Sequence, residues 1–139
     1  MARDLLTMTV PAKPEYVSVV RLAVSGILSR MAFTAEEIED VKVALSEACT
    51  NAVQYAYPKK RNSSLVTIAM EPLPKAIKIT VSDLGKGFDT KSPPRRQIHD
   101  KDIHMGLGLV FIKNLMDSVV VTSRKGKGTT VVMTKKIKK

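Results

Sequence analysis

An α+β fold, with helices stacked on an antiparallel sheet that stays wet on one side, is predicted by three observations. Hydrophobic residues make up 44% of the 139-residue chain, yet aromatics are only 4% and Trp is absent. A core of Val, Ile, Leu, Met and Ala of this kind suits helices packed on a sheet. Ile77, Ile79 and Val81 alternate with Lys78, Thr80 and Ser82, the period of a strand buried on one face. Val41, Leu45, Ala48 and Ala52 recur instead at helical spacing and make one apolar stripe. A chain of this length buries roughly two thirds of its unfolded surface, so a single domain over 1–139 is expected.

The elements follow in chain order. Leu6, Met8 and Val10 alternate with Leu5, Thr7 and Thr9 and read as a first strand ending at Pro11. Lys13-Pro-Glu-Tyr starts a helix that carries Val17, Val20, Leu22, Val24, Ile27, Leu28 and Met31 and is apolar on two sides. Thr34, followed by Glu36 and Glu37, is an N-cap with acids in the first turn, and its helix is expected to run to Tyr57 before Pro58. Leu65 to Met70 reads as a strand, with Pro72 and Pro74 marking a turn before the strand Ala76 to Asp83. Residues from about 90 to 105 show no periodicity and suit a lid. A helix opening at Gly106 is expected to run to Asp117, and two strands, Ser118 to Ser123 and Thr129 to Ile137, close the sheet around the turn 124–128.

The chain carries a formal net charge of +10, which admits nucleic acid, an acidic protein or a polyphosphate as partner. Seven of the 23 basic residues fall between Arg124 and Lys139, and a solubilising surface accounts for them equally well. Three Tyr and three Phe, scattered, make no stacking platform, so the expectation is against nucleic acid. No apolar run approaches the roughly 18 residues of a membrane span, and no signal-peptide core follows the first Met, so a soluble cytoplasmic protein is expected. The single Cys49 falls near the apolar stripe and reads as a small buried hydrophobe. His99 and His104 have no metal-ligand company.

Four spots carry chemistry. Glu47 and Asn51 stand one helical turn apart on the shoulder of the apolar stripe. A carboxylate there can take a proton from a hydroxyl, and a carboxamide oxygen can hold Mg²⁺ between phosphates. Taken alone, the pair reads as a solvated helix shoulder. Asp83 ends the buried row of its strand, a costly place for an acid without a donor. Asp83-Leu-Gly-Lys-Gly87 then breaks the strand with glycines that permit close backbone approach. Gly106-Leu107-Gly108, at an expected helix start, would present free N–H groups to phosphate. Thr129 lies on the side of Val131 and Met133, at the end of its own buried row and near that of Asp83.

In this order, Glu47-x-x-x-Asn51, Asp83-x-Gly85-x-Gly87, Gly106-x-Gly108 and Gly128-Thr129 resemble the four boxes of the GHKL ATP-binding superfamily. Pro11-Ala-Lys-Pro-Glu-Tyr, Ile38-Glu-Asp, Leu45-Ser-Glu-Ala-Cys-Thr-Asn-Ala and Gly106-Leu-Gly-Leu look like its anti-sigma-factor serine kinases of the RsbW and SpoIIAB type. The resemblance implies a Bergerat fold, a two-layer α/β sandwich whose sheet is mixed and mainly antiparallel. By resemblance Asp83 binds the adenine amino group with Thr129 beside it, and Gly85 and Gly87 shape the base pocket. Asn51 holds Mg²⁺; Gly106, Leu107 and Gly108 wrap the phosphates of ATP; Glu47 is the general base. The implied serine belongs to an anti-anti-sigma protein of the STAS fold, the implied captive is a sigma factor, and a homodimer is expected, using the first strand and the spare face of the first helix. A nucleotide-gated binding module without efficient transfer is the alternative. The high positive charge departs from the family pattern and points to an acidic partner surface.

Overall fold

The computed structural model describes residues 4–59, 63–87 and 100–138, and for 100–107 the backbone alone. Period-two patterning produces strands β1 (Leu6–Pro11), β2 (Leu65–Leu73), β3 (Ala76–Asp83), β4 (Ser118–Arg124) and β5 (Gly128–Lys136). They form one sheet in the order β1-β2-β3-β5-β4, with every pairing antiparallel. The mixed sheet implied by resemblance is therefore wholly antiparallel among the described residues. Strands β3 and β4 do run the same way, but β5 returns through its tight turn and inserts between them, so no parallel ladder forms.

Helices α1 (Val17–Leu28), α2 (Ala35–Asn51) and α3 (Asp100–Leu115) supply the second layer. Val20, Val24 and Leu28 of α1 and Val41, Leu45 and Ala48 of α2 meet Ile68, Met70, Ile77, Ile79 and Met133 of the sheet in one core, which Ile112 of α3 joins. The stripe inferred from Val41, Leu45, Ala48 and Ala52 is thus the buried one. The start of α2 is held by a capping box: Glu37 N–H donates to Thr34 Oγ1 (3.1 Å) and Thr34 N–H to Glu37 Oε1 (2.8 Å). The hydrogen bond from the Thr34 backbone also holds the Glu37 carboxyl below its ordinary pKa.

Several boundaries differ from expectation. A 3-10 turn at Pro14–Tyr16 precedes α1, and α1 ends at Leu28, short of Met31, because Arg30 N–H and Met31 N–H bond back three residues and tighten the last turn. Helix α2 stops at Asn51 and passes into a π turn, Ala52–Ala56, so the helix expected to reach Tyr57 changes its winding. Strand β2 continues through Pro72 to Leu73. Pairing with β1 ends at Leu6↔Met70, so Pro72 lies where β2 has become an edge and its missing N–H removes no ladder bond on that side. Helix α3 begins at Asp100, six residues before Gly106. The segment 100–105, read as aperiodic lid, is its first turns, with Asp100 and Asp102 suited to the positive end of the helix. Residues 88–99, which include the rest of that lid from about 90, lie outside the described residues.

Buried Lys135 of β5, 7% exposed, ties the helix layer together. Its Nζ donates to the Leu115 carbonyl at the end of α3 (2.6 Å) and stands 3.7 Å from Asp40 Oδ2 on α2. On the helix-free face, Thr9, Thr67, Ser82, Thr130 and Thr122 stand in one register row across all five strands. The hydroxyls of Thr9 and Thr67 lie 3.2 Å apart in a hydrogen bond.

Candidate functional site

The site is built where α2, α3 and the β3 end of the sheet meet. Glu47 and Asn51, in the last turn and a half of α2, are both half-buried. Opposite them is Gly108 of α3, buried. A Cβ at Gly108 would stand 3.2 Å from Asn51 Nδ2 and 3.3 Å from both Asn51 Oδ1 and Glu47 Oε2. The carboxylate and the carboxamide therefore converge on one spot against the backbone of α3, a close approach that the absence of a side chain at residue 108 allows. That pair of hard oxygens, Glu47 Oε2 and Asn51 Oδ1, is the kind of donor set that suits Mg²⁺ beside phosphate.

Gly106 and Gly108 are interior to α3 and not at its start, which corrects the expectation of free N–H groups there. Each glycine in a helix interior costs about 1 kcal/mol against Ala. At Gly108 the close approach of α3 to the polar side chains of α2 is what the missing Cβ makes possible. Leu107 and Gly106 are placed by their backbone in the turn before it.

The second cluster lies at the end of β3. Asp83, 8% exposed, sits where the period of two puts it, on the buried side. Its Oδ1 accepts from Gly85 N–H (2.9 Å) and from Thr129 N–H (3.3 Å). Desolvation by burial nevertheless raises the carboxyl pKa above its ordinary value, against the lowering by these two backbone donors. Asp83 and Thr129 are register partners, so the two buried rows end side by side as expected. The Thr129 hydroxyl shares a 2.7 Å hydrogen bond with Ser123 Oγ, which also donates to the Gly128 carbonyl (3.2 Å).

Gly85 and Gly87 are where chain meets chain. A Cβ at Gly85 would overlap the Ala56 carbonyl oxygen and stand 2.6 Å from the Ala56 Cβ, so the loop after β3 lies directly on the π turn. Lys86 N–H completes that contact by donating to the Ala56 carbonyl (2.7 Å). Gly87 has φ +61° and abuts the Arg124 carbonyl, a conformation and a closeness that a side chain would strain. Ser123 and Ala56 were not among the residues singled out by sequence. Ser123 was findable, because it ends the row of Val119 and Val121 as Asp83 ends that of Val81; Ala56 carried no signal.

Cys49 is buried and its thiol is pushed up to about 12 by desolvation, which makes it a core hydrophobe and no nucleophile. Among the described residues no group of three His, Cys, Asp or Glu is arranged to hold a metal, and no helix is long and apolar enough to cross a membrane. The side chains of His99 and His104 lie outside the described residues.

Residues 10–135 match the model of the histidine kinase-like ATPase domain. The chain is 47% identical over 143 residues to the serine-protein kinase RsbW of Staphylococcus aureus strains RF122 / ET3-1 and MRSA252, covering 98% of this chain and 89% of the relative. Two solved structures share the fold. One contains the RsbU and RsbW domains of Rv1364c from Mycobacterium tuberculosis (TM-score 0.71, 20% identity, 96% of this chain and 32% of that one). The other is the histidine kinase domain of a blue-light activated kinase from Erythrobacter litoralis EL346 (TM-score 0.60, 22% identity, 92% of this chain and 62% of that one). With a family match over most of its length and nearly half of its residues identical to these kinases, the chain belongs to the histidine kinase-like ATPase family, in its branch of RsbW-type serine-protein kinases.

Proposed function

We propose that this chain transfers the γ-phosphate of ATP to a serine of a STAS-fold anti-anti-sigma protein and sequesters a sigma factor, exchanging one partner for the other, in the cytoplasm. The observation that carries the reading is the meeting of Glu47 Oε2 and the Asn51 carboxamide at Gly108. A pure nucleotide-gated binder has no use for a carboxylate at that spot.

In this reading Asp83 accepts from the adenine amino group. Among the described residues both of its hydrogen bonds converge on Oδ1, which leaves Oδ2 to accept from the base. Thr129 lines the same end, and Gly85 and Gly87 let backbone approach the base. Asn51 would hold Mg²⁺, which would supply positive charge against the phosphates, and Gly106, Leu107 and Gly108 would line the phosphate path. Glu47 takes the proton of the partner's serine hydroxyl as its oxygen bonds to the γ-phosphorus; the bond to the β–γ bridging oxygen breaks and ADP leaves. The partner protein is expected to present an acidic face to a chain of net charge +10. A second copy is expected on the outer edge of β1 and on α1, where Leu22 is exposed and a groove of about 670 Å³ is lined by Leu5, Leu6, Ile27, Met31 and Pro72.

The test is transfer of labelled γ-phosphate from Mg-ATP to proteins of a lysate from the source organism, wild type against Glu47→Ala. One small protein labelled on serine by the wild type, its labelling reduced roughly 10²- to 10⁴-fold in the variant with ATP still bound, is the expected result. Tight ATP binding with no labelled protein would leave the binding module as the correct reading.

A further inference from the structure

The π turn at the end of α2 delivers a side chain that neither the sequence reading nor the family assignment uses. Tyr57 follows that turn directly, and its ring packs against the core. Its hydroxyl donates to the Leu65 carbonyl (2.7 Å) and accepts from Leu84 N–H (3.0 Å). The last register pair between β2 and β3 is Val66↔Asp83, so Leu65 and Leu84 are the residues that the ladder would join next. One phenolic oxygen stands between their backbone groups and takes over both partners. The strands are thereby wedged apart immediately after Asp83, and the chain turns onto the π turn, where Lys86 N–H meets the Ala56 carbonyl.

We propose that Tyr57 is a positioning residue for recognition of the nucleotide base: by wedging Leu65 from Leu84, its hydroxyl sets the loop that aims the Asp83 carboxylate. The inference rests on the ATP-site reading given above. Its logic is geometric. Asp83 Oδ1 accepts from Gly85 N–H, and Gly85 is packed so tightly on Ala56 that a Cβ would not fit between them. Leu84 is the link between Asp83 and Gly85, and its only side-chain anchor among the described hydrogen bonds is the Tyr57 hydroxyl. With Phe in place of Tyr, the ring still fills its place in the core, but Leu65 O and Leu84 N are free to pair with each other. The wedge closes, Leu84 moves toward β2, and the Asp83 oxygen that faces the base turns with it. Glu47, Asn51 and Gly108, on α2 and α3, are untouched.

The effect should therefore fall on the base and spare the phosphates. Competition of ATP and of GTP against a fluorescent ATP analogue, with Mg²⁺ present, separates the two for wild type and Tyr57→Phe. The expected result is ATP affinity roughly tenfold weaker, GTP affinity changed by less than about twofold, and hence a narrowed preference for ATP. The variant's unfolding temperature should stay within a few degrees of wild type. An unaltered preference would overturn the inference, whether both affinities stay the same or both fall in parallel as a merely structural role requires. A wild type that bound neither nucleotide would instead overturn the ATP-site reading itself.

Discussion

Asp83→Asn should weaken nucleotide binding without weakening the fold. The side chain is 8% exposed, and burial holds its pKa above the ordinary carboxylate value of about 3.9. Both described hydrogen bonds go to Oδ1, at 2.9 Å from Gly85 N and 3.3 Å from Thr129 N, and an Asn carbonyl oxygen can keep them. What Asn cannot keep is the second acceptor, because its amide nitrogen would face the adenine amino group donor to donor. A hydrogen bond to a charged group contributes about 1.5–3 kcal/mol, so ATP affinity should fall roughly 10- to 150-fold, read by titration calorimetry. The stability arm has a definite sign. A raised folded-state pKa means that the contribution of Asp83 is fully present below its unfolded pKa and is lost as pH rises through the folded value. The variant, lacking that titration, should gain on wild type as pH rises through this window, and at neutral pH should melt as high or higher. ATP affinity equal to wild type would refute the pocket assignment. A clearly lower melting temperature at neutral pH would refute the claim that the buried charge is a cost.

Gly108→Ala should leave stability unchanged or slightly raised, since Ala is the better helix former, while its Cβ presses on Asn51 and Glu47 from 3.2–3.3 Å. Phosphotransfer should fall by about tenfold or more, a displacement effect measured as the initial rate at saturating Mg-ATP. Lys135→Met should lower the unfolding temperature by a few degrees, because the Leu115 carbonyl loses a charged donor worth about 1.5–3 kcal/mol, whereas Asp40, a third exposed, is left in reach of water. Calorimetric unfolding checks it, and an unchanged melting temperature would show that water replaces the ammonium at the end of α3.

The parts of the fold legible in the sequence were those governed by a repeating period. The stripe Val41, Leu45, Ala48, Ala52 and the alternation Ile77, Ile79, Val81 fixed which side was buried, and from them came both Asp83 at a buried strand end and Glu47 beside Asn51. The capping box at Thr34 was legible because its chemistry is local. What escaped depended on partners distant in the chain. Pro72 looked like a turn residue until the ladder showed β1 ending opposite Met70. Gly106 looked like a helix start, yet α3 runs from Asp100 and brings Gly108 against α2, a tertiary contact that no window of sequence contains. The π turn and the Tyr57 wedge escaped for the same reason, since the hydroxyl serves backbone groups eight and 27 residues away.

The row Thr9, Thr67, Ser82, Thr130, Thr122 bears on how the molecule meets its surroundings. Threonine has the outline of valine with a methyl exchanged for a hydroxyl, so it keeps the β-branched stiffness that suits a strand and turns a wettable skin outward. Among the described residues no helix covers that side of the sheet, and along this row the hydroxyls favour a water film over another apolar surface.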